Sequence, residues 1–235
     1  LYKSQTPPAA RFGGEGLVPT VKSMALPGFD PRAAVGVELA YATSDRGACH
    51  RRARPQDSEP FAGGERSAAH LVRGVVGEQN ARSVLWSLVV DDFVGEAVCA
   101  DLGAEWLAAI EHPAVADRDE SERGDAGDAG RPGPSPAALA TTGERIWTLT
   151  RLFNAREGFD RADDALPEPL RTDAADGTPG VDVHAFDPLP HRYDAARGWG
   201  ARRLPPPATA DRLRRARRRG GATPTAILSR PPTAL

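Results

Sequence analysis

A histidine next to a cysteine and two arginines is the first group in this sequence that could do chemistry. His50 follows Cys49 and precedes Arg51 and Arg52. Because imidazole titrates near neutral pH, His50 could move a proton to or from a substrate. A single histidine beside arginines is more often structural or exposed, so the residue types alone leave both interpretations open. Cys49 could be a nucleophile, but a small packed residue is the interpretation we favour.

Adjacent acidic residues occur at two further places. Asp91 and Asp92 lie within the most apolar stretch, residues 81–100, and are candidates for a partly buried acidic pair. Periodicity does not decide whether that stretch is a strand or a buried helix. Asp163 and Asp164 precede Leu-Pro, so we expect a turn that ends a helix there rather than a paired-carboxylate site.

The composition excludes several classes of protein. The 235 residues are 40% hydrophobic and 26% charged, which is ordinary for a soluble globular protein. No apolar run reaches about 18 residues, so no membrane span is expected. The net charge of −2 implies no general attraction to nucleic acid. The two cysteines cannot form a disulfide framework or a four-thiolate site alone, and the cytoplasm is the expected compartment.

The 24 glycines and 22 prolines predict long irregular stretches beside a folded centre. We predict an irregular segment at 1–21, a helical domain at 22–199 and a disordered, Arg/Pro-rich tail at 200–235. Within the domain, the acidic, Gly/Pro-rich residues 116–137 should form a flexible, solvated loop. Because the sequence lacks an initial Met, we expect it to be a fragment.

Turn residues and apolar spacing predict the shorter helices. Residues 33–43 read as a helix of small and apolar residues, with Asp30 as its N-cap and Pro31 at its first position. Residues 67–80 and 103–111 also have helical spacing.

The clearest helix is predicted at residues 138–157. Thr141 or Thr142 can cap its start, and Gly158 can stop it. One apolar face is predicted from the residues Ile146, Leu149, Leu152 and Phe153.

Three blocks, in this order, resemble the C-terminal region of the aldehyde ferredoxin oxidoreductase family. Residues 26–50 read LPGFDPRAAVGVELAYATSDRGACH, similar to the family's P-x-Y-D-P-R-G followed by A-T-S-x-R-G-x-C-H. Residues 86–93 read WSLVVDDF, similar to D-S-L-x-x-C-x-F. Residues 143–167 read GERIWTLTRLFNAREGFDRADDALP, similar to E-R-x-x-x-L-x-R-x-F-N-x-R-E-G-F-x-R-x-D-D-x-L-P. A weaker fourth block, HRYDAARGW at 191–199, is similar to E-Y-Y-x-x-R-G-W, and the resemblance ends at its last residue.

The resemblance implies a mainly α fold, a multihelical C-terminal domain with long irregular loops. Members of the family oxidise aldehydes to carboxylic acids and pass electrons through a [4Fe–4S] cluster to ferredoxin. The implied cofactors are that cluster and a tungsten or molybdenum bis-pterin. The implied partners are ferredoxin, an aldehyde and the N-terminal pterin domain that this sequence lacks. The chain alone is therefore expected to be inactive.

The resemblance also assigns site residues. His50 would stand near the metal and act on the substrate oxygen. The family's loop of the type D-x-x-G-L-(Cys/Asp) approaches the pterin, and the Cys of its C-terminal copy ligates the cluster. By resemblance, this loop falls on Ser87, Leu88, Val89, Val90 and Asp91. The sequence departs from that loop, because Trp86 replaces its Asp, Val89 its Gly and Asp91 its cluster-ligating Cys. A carboxylate at Asp91 can ligate iron but is a harder ligand than thiolate, and a polar turn without metal is the alternative.

The remaining charged residues of the blocks are expected to be structural. The helix at 143–159 would build ion pairs and buried hydrogen bonds through Arg145, Arg151, Asn154, Arg156 and Glu157.

Two alternative functions remain open. In the first, the chain is a non-catalytic or degenerate fragment that keeps only the helical fold, which the residue at position 91 and the missing domains favour. In the second, the basic segment 212–220 binds nucleic acid through phosphate contacts, although it contains no aromatic residue. Arg- and Pro-rich text after residue 199 is also typical of a GC-rich gene read in a wrong frame.

Overall fold

The structure is a computed structural model that describes residues 11–14, 17–55, 67–87, 89, 136–173, 186–200, 204–209 and 211. The described part is mainly α-helical, as the sequence predicts. Its elements are β1 (Thr20–Val21), β2 (Met24–Ala25), a 3-10 turn (Pro31–Ala33), α1 (Val35–Thr43), α2 (Ala68–Ser87), α3 (Pro136–Arg156), α4 (Glu168–Arg171) and α5 (Leu189–Ala196). The predicted helix at 103–111 and nearly all of the predicted loop at 116–137 lie outside the described residues.

A two-residue hairpin turn, which the sequence analysis missed, joins β1 to β2. Thr20 pairs with Ala25 and Val21 with Met24 in antiparallel register. Lys22 and Ser23 between them both have positive φ, 49° and 63°, as a type I′ turn requires. Neither residue is the Asn or Gly usual at these positions, so the local sequence carries no hairpin signal.

The start of α1 follows the predicted capping, with one difference. The Asp30 carboxylate accepts a hydrogen bond from the Arg32 amide at 3.0 Å, and Pro31 is the first residue of the turn. These residues begin a 3-10 turn, and the α-helix itself starts at Val35. From Gly36 onward every residue of α1 is buried, because small side chains let the neighbouring elements approach from several sides.

α2 and α3 pack closely at a glycine. A Cβ placed on Gly143 would lie 2.2 Å from the carbonyl oxygen of Asn80, so only glycine permits this contact. A second small core forms beside it from Ala81, Val84 and Leu85, packed against Leu139. α2 therefore continues to Ser87, beyond the predicted end at residue 80, and the first part of the ambiguous apolar stretch is helical.

The buried face of α3 is not the predicted apolar face. Leu149 and Phe153 are 48% and 52% exposed, whereas Trp147, Thr148 and Arg151 are buried. The prediction was wrong because the close contact at Gly143 orients the helix, and that contact belongs to the face that carries Trp147.

The predicted N-terminal cap of α3 is wrong, whereas the predicted C-terminal stop is confirmed. The helix begins at Pro136, inside the predicted loop, so neither threonine caps it. Thr141 and Thr142 instead donate hydrogen bonds of 2.8 Å to the carbonyl oxygens of Ala137 and Ala138 one turn earlier. The predicted stop at Gly158 is confirmed by its φ of +96° just beyond the helix.

A chain of buried hydrogen bonds joins the four longer helices. The Trp147 indole donates to Tyr193 Oη at 2.8 Å, and Tyr193 donates to Gln79 Oε1 at 2.6 Å. Gln79 Nε2 then donates to Thr43 Oγ1 at 3.1 Å, and Thr43 donates to the Leu39 carbonyl oxygen at 2.7 Å. The network fixes the C-terminal end of α1, where the candidate site begins.

The Arg-Gly-Trp sequence after α5 completes this core. Arg197 is 1% exposed and donates to Tyr193 Oη at 3.2 Å, to Gln79 Oε1 at 2.7 Å and to the side-chain oxygen of Asn80. Gly198 takes the left-handed conformation that ends many helices, with φ of +64°. Trp199 then packs edge-on against the Tyr193 ring, at a centroid distance of 5.9 Å.

Part of the predicted tail also packs against the domain. Thr209 is 8% exposed and donates a hydrogen bond of 2.9 Å to the Gly198 carbonyl oxygen. Gly200 N donates to the Leu204 carbonyl oxygen at 2.9 Å. The packed region therefore extends beyond residue 199, the end of the predicted domain. No helix in the described part of the chain is long and apolar enough to cross a membrane.

Candidate functional site

The loop that carries His50 leaves the end of α1 and lies against the hairpin. Gly47 has a φ of +111°, and a Cβ there would lie 2.4 Å from the Val21 carbonyl oxygen. Ala48 and Cys49 are buried, whereas His50 is exposed. The hairpin thus holds the buried part of the loop in place, whereas His50 lies at the surface.

Cys49 is a packed thiol held by its own loop. Its side chain is 2% exposed and forms no disulfide. The Arg46 guanidinium donates to Cys49 Sγ through Nη2 at 2.8 Å and through Nε at 3.3 Å. This arrangement agrees with the interpretation of Cys49 as a structural residue.

Asp45 ties the loop to its surroundings in two directions. Its carboxylate pairs with Arg52 Nε at 2.9 Å, and its backbone carbonyl oxygen accepts a hydrogen bond from the Asn154 side chain of α3. Burial raises the pKa of the Asp45 carboxyl, although Arg52 and Arg46 act in the opposite direction. Burial thus disfavours the charged form of Asp45, and the pairing with Arg52 offsets part of that cost.

Trp86 brings the two predicted site regions together. The Arg52 guanidinium lies 3.4 Å from the centroid of the Trp86 ring, and the Arg46 guanidinium lies 5.7 Å from it. Such cation–π contacts are worth about 0.5–2 kcal/mol, depending on how far they are desolvated. The start of the loop at 86–91 and the His50 loop consequently share one surface.

The backbone after α2 turns sharply at Val89. Val89 has a φ of 58°, its side chain is 91% exposed, and its N–H donates to the Trp86 carbonyl oxygen at 3.0 Å. This conformation is costly for a β-branched residue and is usual for glycine. The Ser87 hydroxyl is turned back into the helix, donating to the Ser83 carbonyl oxygen at 2.8 Å. The predicted site residues Leu88, Val90 and Asp91 lie outside the described residues.

A buried ion triad, which the sequence did not predict, joins the hairpin turn to α3. Asp164 pairs with Lys22 of the hairpin turn and with Arg151 of α3, the latter at 3.0 Å. All three side chains are at most 7% exposed. Lys22 also donates to the Ala42 carbonyl oxygen at 3.0 Å. Asp164 thus binds the hairpin to the helices, which no spacing along the sequence could indicate.

The comparison with known proteins agrees with the resemblance noted in the sequence. The family model described as aldehyde ferredoxin oxidoreductase, domains 2 & 3, matches residues 6–214. The chain belongs to the aldehyde ferredoxin oxidoreductase family. The match continues past Trp199, where the resemblance seen in the sequence ended, and reaches back into the segment predicted to be irregular.

Several members of the aldehyde ferredoxin oxidoreductase family are similar to this chain. The tungsten-containing aldehyde ferredoxin oxidoreductases of Pyrococcus furiosus and Pyrococcus abyssi are each 29% identical to it over 198 residues. That of Thermococcus kodakarensis is 27% identical over 198 residues. Each alignment covers 81% of this chain, which spans about 30% of the length of these curated relatives.

The described residues do not by themselves form a metal site. They contain no group of three or more His, Cys, Asp or Glu side chains that could hold a metal ion. The position of the motif's Asp is taken by Trp86, whose ring is engaged by arginine. The position of its Gly is taken by Val89, which nevertheless keeps a left-handed backbone. Within the described ranges, this surface therefore holds Trp86 and the turn at Val89 but no cluster of metal ligands.

Proposed function

We propose that this chain forms the C-terminal part of a cytoplasmic enzyme that oxidises aldehydes to carboxylic acids and passes the electrons through a [4Fe–4S] cluster to ferredoxin. The observation that carries the proposal is the contact between the His50 loop and the start of the 86–91 loop through Arg52 and Trp86. In a member of this family, these are the two loops that the motifs assign to substrate and cofactor.

His50 holds or moves a proton at the oxygen of the substrate. Its exposure leaves the imidazole accessible to a molecule bound above the loop. The two buried residues just before His50, Ala48 and Cys49, keep the backbone from moving away when substrate binds. General acid–base catalysis by a positioned histidine contributes about 10²–10⁴-fold to a rate.

The loop at 86–91 forms the side of the site next to the cofactors. A bis-pterin with tungsten or molybdenum would supply the two-electron oxidation, and a domain outside this chain would bind most of it. Ser87 to Val90 would approach the pterin, and Asp91 would stand at the cluster. The left-handed backbone at Val89 supports this placement, since glycine adopts that conformation most readily and the family's motif has Gly at this position.

Metal analysis of the assembled protein tests this proposal. The chain would be co-expressed with the family's N-terminal pterin domain and purified as a complex. We expect tungsten or molybdenum together with iron, and aldehyde-dependent reduction of ferredoxin. A correctly folded complex that contains none of these metals would refute the enzyme function.

The second candidate is a non-catalytic or degenerate member that keeps the fold. The stacking of Arg52 on Trp86 favours it, because the ring has a structural role at the motif position where the family has an acid. Asp91→Ala separates the candidates in the same complex. The variant should lower the iron content if Asp91 ligates the cluster and leave it unchanged if the loop holds no metal.

A further inference from the structure

A small cavity lies where the start of the His50 loop, α3 and the Arg-Gly-Trp segment meet. Its volume is about 10 Å³, close to what one water molecule needs. Its walls come from segments that are distant in the sequence, and each lining residue carries a polar side-chain atom. The lining residues are Thr43, Ser44, Asp45, Trp147, Arg151, Asn154, Asp164, Tyr193 and Trp199. Thr43, Trp147 and Tyr193 also belong to the hydrogen-bond network that joins the helices.

Two of the lining side chains are deeply buried donors without a protein acceptor among the described residues. The Ser44 hydroxyl belongs to a residue that is 0% exposed, and the Trp199 indole N–H to one that is 8% exposed. Buried donors are almost always satisfied, because an unpaired one loses its hydration without compensation. Two such donors on one polar cavity point to a shared acceptor inside it.

The walls restrict what that acceptor can be. The carboxylates of Asp45 and Asp164 on the lining disfavour an anion such as chloride. The Trp199 N–H and the Arg151 guanidinium disfavour a metal cation. A water molecule accepts two hydrogen bonds and still donates to a carboxylate, so it suits both kinds of wall.

We propose that this cavity is a binding site for a single buried water that accepts hydrogen bonds from Ser44 and Trp199. The water joins the first residue after α1 to the residue that ends the Arg-Gly-Trp segment. It thereby extends the network of Trp147 and Tyr193 into the loop that carries His50. The inference does not depend on the enzymatic activity proposed above.

A double-mutant cycle on the isolated chain tests the shared water. Ser44→Ala removes one donor, and Trp199→Phe removes the other while it keeps an aromatic ring against Tyr193. If both bind the same water, their effects on the unfolding equilibrium constant should be coupled by at least about threefold. Additive effects would overturn the proposal.

Thr148→Val provides the matched control. The Thr148 hydroxyl is also buried and without a described protein partner, but Thr148 does not line the cavity. Its effect should therefore add to that of Trp199→Phe. Coupling of the same size in this pair would mean that the cycle reports general packing and would overturn the assignment.

A high-resolution crystal structure with a bromide soak provides the second readout. We expect one ordered water within hydrogen-bond distance of Ser44 Oγ and Trp199 Nε1, with no anomalous signal. A bromide peak in the cavity would show that it binds an anion, and this would overturn the proposal. A cavity without electron density, or an Nε1 bonded to a protein atom, would also overturn the proposal.

Discussion

Replacing Gly143 with alanine should force α2 and α3 apart, and the cost follows from the geometry. The added Cβ would lie 2.2 Å from the Asn80 carbonyl oxygen and 2.9 Å from Asn80 Cα, whereas ordinary contact begins near 3.4 Å. One backbone must therefore move by roughly 1 Å in a close-packed interior. Overpacking costs about 1–3 kcal/mol, and the better helix propensity of alanine returns about 1 kcal/mol. Because the clashing atoms are backbone and cannot rotate away, we expect a net loss of about 2 kcal/mol.

Gly74→Ala in α2 is the matched control for this prediction. A Cβ at Gly74 meets nothing within 4 Å, so alanine there should stabilise the chain by about 0.5–1 kcal/mol. Urea unfolding followed by helical circular dichroism measures both variants. If Gly143→Ala unfolds at the same or a higher urea concentration than Gly74→Ala, the close contact between the helices is wrong.

Four further substitutions, two of them with control variants, test the strained backbone at Val89 and three of the charged side chains. Val89→Gly should raise the free energy of unfolding by about 1 kcal/mol. The left-handed backbone costs a valine about 1–2 kcal/mol, and the larger entropy that glycine loses on folding cancels only part of this gain. An equal gain for Val89→Ala would contradict this reason. Asp164→Asn should cost about 3–5 kcal/mol because two buried cations lose their carboxylate, whereas Asp163→Asn should stay within about 0.5 kcal/mol. Similar losses for both would refute the ion triad. Because burial raises the pKa of Asp45, its contribution to stability is greatest below about pH 4, the unfolded value, and is lost as the pH rises through the folded pKa. Relative to the unmodified chain, Asp45→Asn should therefore gain stability as the pH rises above about 4, as measured by urea unfolding, and a constant difference would contradict the shift. The side-chain hydrogen bond from Arg32 lowers the pKa of Asp30, so Asp30→Asn should gain relative stability only as the pH falls below about 4.

Local signals predicted the parts of the fold that depend on a few neighbouring residues. Asp30 with Pro31 marks a helix start because a carboxylate can satisfy the first free amides, and the structure confirms this cap. Gly158 marks a helix end because glycine adopts a positive φ without strain. Both signals lie within the segment that they control.

Contacts between distant segments decided what the sequence did not predict. The apolar face of α3 was assigned from Leu149 and Phe153, but the partner helix selects the face that contains Gly143, which carries no side chain to mark it. Lys22 reads as a surface residue, yet its turn places it in a buried ion pair with Asp164. Such pairings depend on the approach of elements that are distant in the sequence.

In the candidate site, too, local signals predicted some features and contacts between distant segments decided the others. The motif around His50 indicated the loop and included Arg46, which donates to Cys49. The contact of Asn154 with Asp45, by contrast, joins segments that are distant in the sequence and was not predicted. Trp86 was noted in the sequence only as a departure from a motif. Its contact with Arg52 gives it a role, since it joins the two loops of the proposed site.

The central proposal is that the exposed His50 acts on the substrate, and steady-state kinetics of the full-length enzyme test it most directly. His50→Asn would be compared with His191→Asn, which changes another exposed histidine, on α5, at matched metal and iron content. We expect kcat for aldehyde oxidation to fall by about 10²–10⁴-fold in the first variant and to stay unchanged in the second. An unchanged kcat for His50→Asn, with full metal content, would contradict the proposed role.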